Sequence, residues 1–133
     1  MNNHLFVYGT LMKKFTGYKP IMLEEYGEYV CEGFIYGRLY EIDNYPGLIL
    51  GKNINEKVYG EIFLLNDFNT SILKLDEYED FFPGDFEKSL YIRQIEDVNV
   101  QGGDIKKAWV YIFNEDVDEE KRVISGNYID YLI

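Results

Sequence analysis

Two short stretches of this 133-residue chain hold residues that could do chemistry. In and just before "ILKLDEYEDFF" (72–82), the apolar residues Phe68, Ile72 and Leu75 recur at helical steps, and the next place on their stripe falls to Glu79. A carboxyl group set beside Tyr78, Phe81 and Phe82 loses solvation. The charges of Asp76, Glu77 and Asp80, read as pointing to the flanks or outward, raise its pKa further. Such a group can take and return a proton near neutral pH. The same letters also fit a frayed last turn with Glu79 in water, and on spacing alone that plainer reading is the commoner one.

The second stretch is "VYGTLM" (7–12), where an apolar run stops at Tyr8-Gly9-Thr10-Leu11. A chain that turns sharply there frees successive backbone N–H groups, and glycine allows a ligand close to them. Such a turn can hold an anion or an oxyanion. It is explained equally well as an ordinary strand terminator.

Elimination narrows the chemistry. The only histidine, His4, opens the first apolar run at an exposed-looking position, so a Ser-His-Asp or Cys-His arrangement and a multi-histidine metal site are not expected. The single cysteine, Cys31, excludes an internal disulfide and a cysteine metal cluster. No phosphate-binding glycine pattern and no Gly-x-Ser-x-Gly elbow occurs. Any proton carrier should therefore be Glu, Asp, Lys or Tyr, with no metal ligand set. A net charge of −11 speaks against nucleic acid and anionic membranes as partners. The chain shows no basic-then-apolar leader and no apolar run near the ~20 residues of a membrane span. The expectation is a soluble, cytoplasmic protein.

These residues need a frame. "HLFVYG" (4–9) reads as a buried strand, and 29–42 as β-rich with Gly33 and Gly37 marking bulges or close backbone approach. A Pro-Gly turn in "DNYPGLIL" feeds another strand. In "KVYGEIFLL" (57–65), Val58, Gly60, Ile62 and Leu64 share one face, and Tyr59, Glu61, Phe63 and Leu65 the other. The period then changes: a helix capped by Asn66 or Asp67 runs to about Glu79. Strands follow at 90–100 and 106–113, joined through Gly102-Gly103, and the tail ends in a turn of helix. Mostly β with one clear helix predicts an α+β class, a single domain over 1–133 with a curved, barrel-like sheet.

Taken together and in order, "FVYGTLM", "GRLYEIDNYPGLIL", "VYGEIFLL", "LDEYEDF", "YIR" and "AWVYIF" resemble the gamma-glutamylcyclotransferase-like family. "LDEYE" is most similar to its gamma-glutamylamine branch. The resemblance implies a small mixed β-barrel flanked by helices, one open cavity and no cofactor. It implies cyclisation of a γ-glutamyl amide to 5-oxoproline, an intramolecular aminolysis of lyase or acyltransferase type, with release of a free amine or amino acid. By resemblance Glu79 is the catalytic base and acid. Tyr8, Gly9, Thr10 and Leu11 bind the γ-glutamyl group, Tyr91 and Tyr111 line the cavity and offer hydroxyls, and Arg93 holds a strand or a carboxylate in place.

The chain departs from the family pattern at Asp80, where glycine is usual, and in the long connection "DFFPGDFEKSL", expected to border the pocket. The partner implied is a small γ-glutamyl compound: an amine derivative, an amino acid derivative or glutathione. A non-catalytic binding domain that retains the fold is the alternative. The sequence does not fix the oligomeric state, and a monomer is the expectation.

Overall fold

The computed structural model describes residues 2–51 and 54–133. Seven strands form: β1 (His4–Val7), β2 (Gly27–Tyr36), β3 (Arg38–Glu41), β4 (Pro46–Ile49), β5 (Lys57–Leu65), β6 (Tyr91–Val100) and β7 (Ile105–Phe113). Two helices accompany them, α1 (Phe68–Tyr78) and the short α2 (Tyr128–Leu132). Five strands close a barrel in the order β1-β5-β2-β6-β7, while β3 and β4 pair as a separate antiparallel ribbon. The β1–β5, β2–β5, β2–β6 and β6–β7 pairs are antiparallel, and the ring closes where Leu5 of β1 meets Trp109 of β7 in parallel. The predicted α+β barrel flanked by helices is the observed architecture.

The strand pattern explains why β1 is apolar from Leu5 to Val7. Phe6 joins Ile35, Ile62, Val98 and Val110 in a core drawn from all five barrel strands, which is the barrel interior. Its neighbours Leu5 and Val7 point the other way and pack with Phe63, Tyr111 and the α1 residues Ile72 and Leu75. A strand buried on both faces cannot alternate with polar residues. β5 behaves similarly: Val58 and Ile62 turn inward, Phe63 and Leu65 lie under the outer layer, and Leu64, predicted on the face of Val58 and Ile62, is exposed at the strand end.

Local details differ from expectation. The β-rich stretch 29–42 is two strands broken at Gly37, whose N–H donates to the Glu56 carbonyl. The bulge falls between Tyr29 and Cys31 rather than at a glycine. Gly33 serves close approach instead, because a Cβ there would lie 2.8 Å from the Asn99 carbonyl oxygen. Asp67 occupies the α1 cap position with φ 44° and makes no capping bond, while Ser71 Oγ donates to the Asn66 carbonyl, 2.6 Å. Helix α1 ends one residue earlier than expected, at Tyr78, leaving Glu79 as its cap residue.

Candidate active site

Five segments distant in sequence end at one place: the turn after β1, the start of β4, the end of α1, the start of β6 and the second half of β7. Between them opens a cavity of about 310 Å³. Every residue singled out from the sequence lines it: Tyr8, Gly9, Thr10, Leu11, Glu79, Tyr91 and Tyr111. Sequence reasoning missed Phe6, Val7, Tyr45, Pro46 and Tyr78, which also line it, together with Asp80 and Leu90 at the ends of the connection expected to border the pocket. Of these, only the "YP" turn carried a signal, since a Pro-Gly turn feeding a short strand must place its aromatic neighbour at a strand end. His4 and Cys31 stand apart from the cavity lining.

Glu79 reaches the cavity because α1 stops just before it. Its N–H still closes the helix on the Leu75 carbonyl, 2.9 Å, and its φ and ψ of −89° and 4° turn the chain out of the helix. Asp80 follows with φ 53°, and the Phe81 N–H returns to the Asp76 carbonyl, 2.9 Å. Among the described residues, the Glu79 carboxylate has no hydrogen-bond donor. Protein atoms crowd it except toward the cavity, and burial, followed by the charge of Asp80, raises its pKa to about 8.

Two expectations about that helix end need correction. Asp76 was placed toward the flank or outward, yet it is 4% exposed. Arg93 donates to it from Nε (2.8 Å) and Nη2 (3.2 Å), and the Tyr111 hydroxyl donates at 2.7 Å. With Arg93 on it, Asp76 is a neutralised pair rather than a free negative neighbour of Glu79. The expected role of Arg93, holding a carboxylate, is the one observed. Phe82, expected beside Glu79 in an apolar setting, faces solvent, while Phe81 is buried under the Arg93 guanidinium. The connection "DFFPGDFEKSL" borders the cavity through its ends alone, Asp80 and Leu90.

The same cavity is lined by Tyr8–Leu11 of the turn that runs on to Met12. The Met12 N–H closes it on the Gly9 carbonyl, 3.0 Å. The N–H groups of Gly9, Thr10 and Leu11 have no acceptor among the described residues. The turn is anchored from behind by a second carboxylate that sequence reasoning did not single out. Glu61 of β5, 1% exposed, accepts from the N–H groups of Lys13 (2.5 Å) and Lys14 (3.3 Å). Burial raises the Glu61 pKa, against those two amides, which favour the charged form.

The three tyrosines are fixed by their own hydroxyls. Tyr8 donates to the Tyr111 carbonyl at 2.6 Å and accepts from the Leu48 N–H at 3.2 Å; Tyr91 donates to the Pro46 carbonyl at 2.5 Å. Burial and the charge of Glu79 contribute to raising the pKa of Tyr8, Tyr91 and Tyr111 alike, so these hydroxyls stay protonated. Chemically the cavity offers one movable proton carrier, a row of unsatisfied amides and a set of held hydroxyls. Among the described residues no group of side chains could hold a metal ion.

A small barrel with an acid and an amide-bearing turn in one cavity defines a protein built around a small-molecule pocket. The sequence profile of the family described as "Gamma-glutamyl cyclotransferase, AIG2-like" matches residues 5–130, and the chain belongs to that family. "Gamma-glutamylcyclotransferase family protein YtfP" of Escherichia coli (strain K12) is 26% identical over 127 residues, 95% of this chain and 96% of that protein. The protein so described in Citrobacter rodentium (strain ICC168) is 28% identical over 128 residues, 95% of each chain. Among solved structures, YkqA from Bacillus subtilis superposes with a TM-score of 0.72 at 26% identity. That match covers 98% of this chain and 41% of YkqA, so the present chain spans less than half of that protein's length. An aig2-like protein from Mus musculus superposes with a TM-score of 0.70 at 24% identity, over 95% of this chain and 87% of that one; it speaks for the fold alone. Family and fold make the chain gamma-glutamyl-cyclotransferase-like and imply a small-molecule substrate. Among the described residues no helix is long and apolar enough to cross a membrane.

Proposed function

We propose that this protein cyclises a γ-glutamyl amide to 5-oxoproline and releases the amine, with Glu79 moving the protons. The observation that carries the reading is that one cavity holds, among the described residues, an unpartnered carboxylate and three unpartnered backbone N–H groups. In this reading the charged Glu79 takes a proton from the α-ammonium group of the substrate. The freed amine attacks the γ-carbonyl carbon of the same molecule, so its approach needs no second reactant. As the carbonyl becomes an oxyanion, amides of the Gly9–Leu11 turn meet the charge. The C–N bond to the leaving group breaks as Glu79 returns the proton to that nitrogen. The attacking nitrogen loses a second proton on becoming the ring amide, and the amine released as its ammonium form takes it up.

A pKa of about 8 suits both halves of this cycle, since the carboxyl then matches an α-amino group in basicity. No cofactor enters the scheme. The test is 5-oxoproline formation from γ-glutamyl amines, γ-glutamyl amino acids and glutathione, by the wild type and by Glu79→Gln. Product from the wild type, reduced at least about a hundredfold in the variant, is the expected result. Equal activity in the two would overturn the role of Glu79. Binding of a γ-glutamyl ligand without product, by correctly folded wild type, would favour the binding-only alternative.

A further inference from the structure

Of the five tyrosines that line the cavity, Tyr8, Tyr91 and Tyr111 give their hydroxyl proton to the protein. Tyr8 and Tyr91 donate to backbone carbonyls, which have no proton to return. Tyr111 donates to Asp76, whose two oxygens also receive the fork of Arg93. What these hydroxyls have left for a ligand is lone pairs. The Tyr8 oxygen already receives the Leu48 N–H, which leaves Tyr91 and Tyr111 as the freer acceptors.

The cavity thus offers both polarities. The Gly9–Leu11 turn supplies donors, and Tyr91, Tyr111 and Glu79 supply acceptors. A group with several N–H bonds and a positive charge fits the acceptors, and an anionic oxygen fits the donors. Arg93 is the nearby cation, but its guanidinium is committed to Asp76 and stacked on Trp109, 4.5 Å from the ring centre.

We propose that Asp76, held by Arg93, is a positioning residue that fixes the proton of Tyr111 away from the cavity, so that the Tyr111 oxygen accepts from the α-ammonium group of the substrate. The inference rests on the proposed cyclotransferase reading and assigns that group its place in the cavity. It narrows the expectation that Tyr111 offers its hydroxyl: what is offered is the acceptor side. Asp76 acts through Tyr111 and touches no substrate. Asp76 Oδ1 receives both the Tyr111 hydroxyl and Arg93 Nε, so Asp76→Ala removes the acceptor of that proton. The tyrosine proton is then free to turn toward the cavity and oppose the cation.

The experiment compares two probes by calorimetry in the Glu79→Gln background, where turnover does not interfere. One probe is γ-glutamyl methylamide, which carries the α-ammonium group; the other is glutaric acid monomethylamide, which lacks it. Asp76→Ala is expected to weaken the first about ten- to a hundredfold and leave the second within about twofold. Tyr111→Phe, which keeps the Asp76–Arg93 pair, is expected to act on the same probe alone, about three- to tenfold. Equal weakening of both probes, or no change in the first for Tyr111→Phe, overturns the inference while leaving the cyclotransferase reading standing. Should Asp76→Ala fail to fold, Tyr111→Phe decides by itself. If neither probe binds the Glu79→Gln protein, the inference falls, and the cyclotransferase reading is decided by the 5-oxoproline assay.

Discussion

Gly9 and Pro46 touch across the cavity wall so closely that a Cβ on Gly9 would stand 2.5 Å from Pro46 Cγ and 3.0 Å from its Cδ. A proline ring has little freedom to yield, and the carbonyl of this one receives the Tyr91 hydroxyl. The turn carrying the free amides and the strand start carrying the tyrosine anchor are therefore set against each other by the absence of a side chain. Gly9→Ala is expected to cost about 1–3 kcal/mol in urea unfolding and to raise KM for a γ-glutamyl substrate, by separating those two walls. An unchanged KM with unchanged stability would show that the contact yields freely.

Glu61 holds the same turn from the barrel side. Glu61→Ala deprives the Lys13 and Lys14 N–H groups of their acceptor and opens a buried gap, for an expected loss of about 1–3 kcal/mol. Glu61→Gln keeps one acceptor oxygen in place and should lose less. The check is thermal unfolding of both variants beside their KM values; equal losses would mean that shape, not hydrogen bonding, is what Glu61 supplies.

The raised pKa of Glu79 gives the proposed reaction a definite pH dependence. Below about pH 8 the carboxyl holds its proton and cannot accept another, and above it the substrate loses its α-ammonium proton, so kcat/KM should rise with pH toward that value and fall beyond it. Once an ammonium group is bound beside it, the charged form is favoured, and the rising limb of kcat should lie at lower pH than that of kcat/KM. A flat profile over this range would remove Glu79 as the proton acceptor.

The same group works against stability in alkaline solution. The unfolded chain releases the Glu79 proton near the ordinary 4.5, and the folded chain holds it up to about 8. Between these values the folded state binds more protons, so stability falls as pH rises across the window. Glu79→Gln has no proton to lose there. It is expected to match the wild type in melting temperature at about pH 4.5 and to exceed it by about 1–3 kcal/mol at about pH 9, a figure reduced because the carboxyl opens on the cavity. Parallel pH profiles for the two proteins would contradict the shift.

Periodicity made part of this site legible. Phe68, Ile72 and Leu75 fixed the buried stripe of α1, so Glu79 stood out as the acid at its end. Asp76 was misread by the same rule. It sits one residue past Leu75, at the edge of the stripe, and only the approach of Arg93 and Tyr111 from two barrel strands makes burial tolerable there. Glu61 was hidden for a related reason: its partners are backbone N–H groups of a turn nearly fifty residues earlier, which leave no mark in side-chain sequence. The strands were readable as segments, but ring closure was not. Pairing of β1 with β7 depends on register across the whole chain, and no local pattern encodes it.

That closure governs the order in which the cavity is assembled. The Tyr8 hydroxyl finds its carbonyl partner 103 residues along the chain, and β1 meets β7 at the parallel pairing of Leu5 with Trp109. β6 and β7, joined by a short turn, can zip together while β1 still diffuses, because loop-closure entropy delays the longest-range contacts. On that ground the amide-bearing turn that follows β1 is expected to be locked beside Glu79 late in folding. A partly folded chain holds the acid without the anion cradle, so whatever catalysis the pair supports arrives together with the closed barrel.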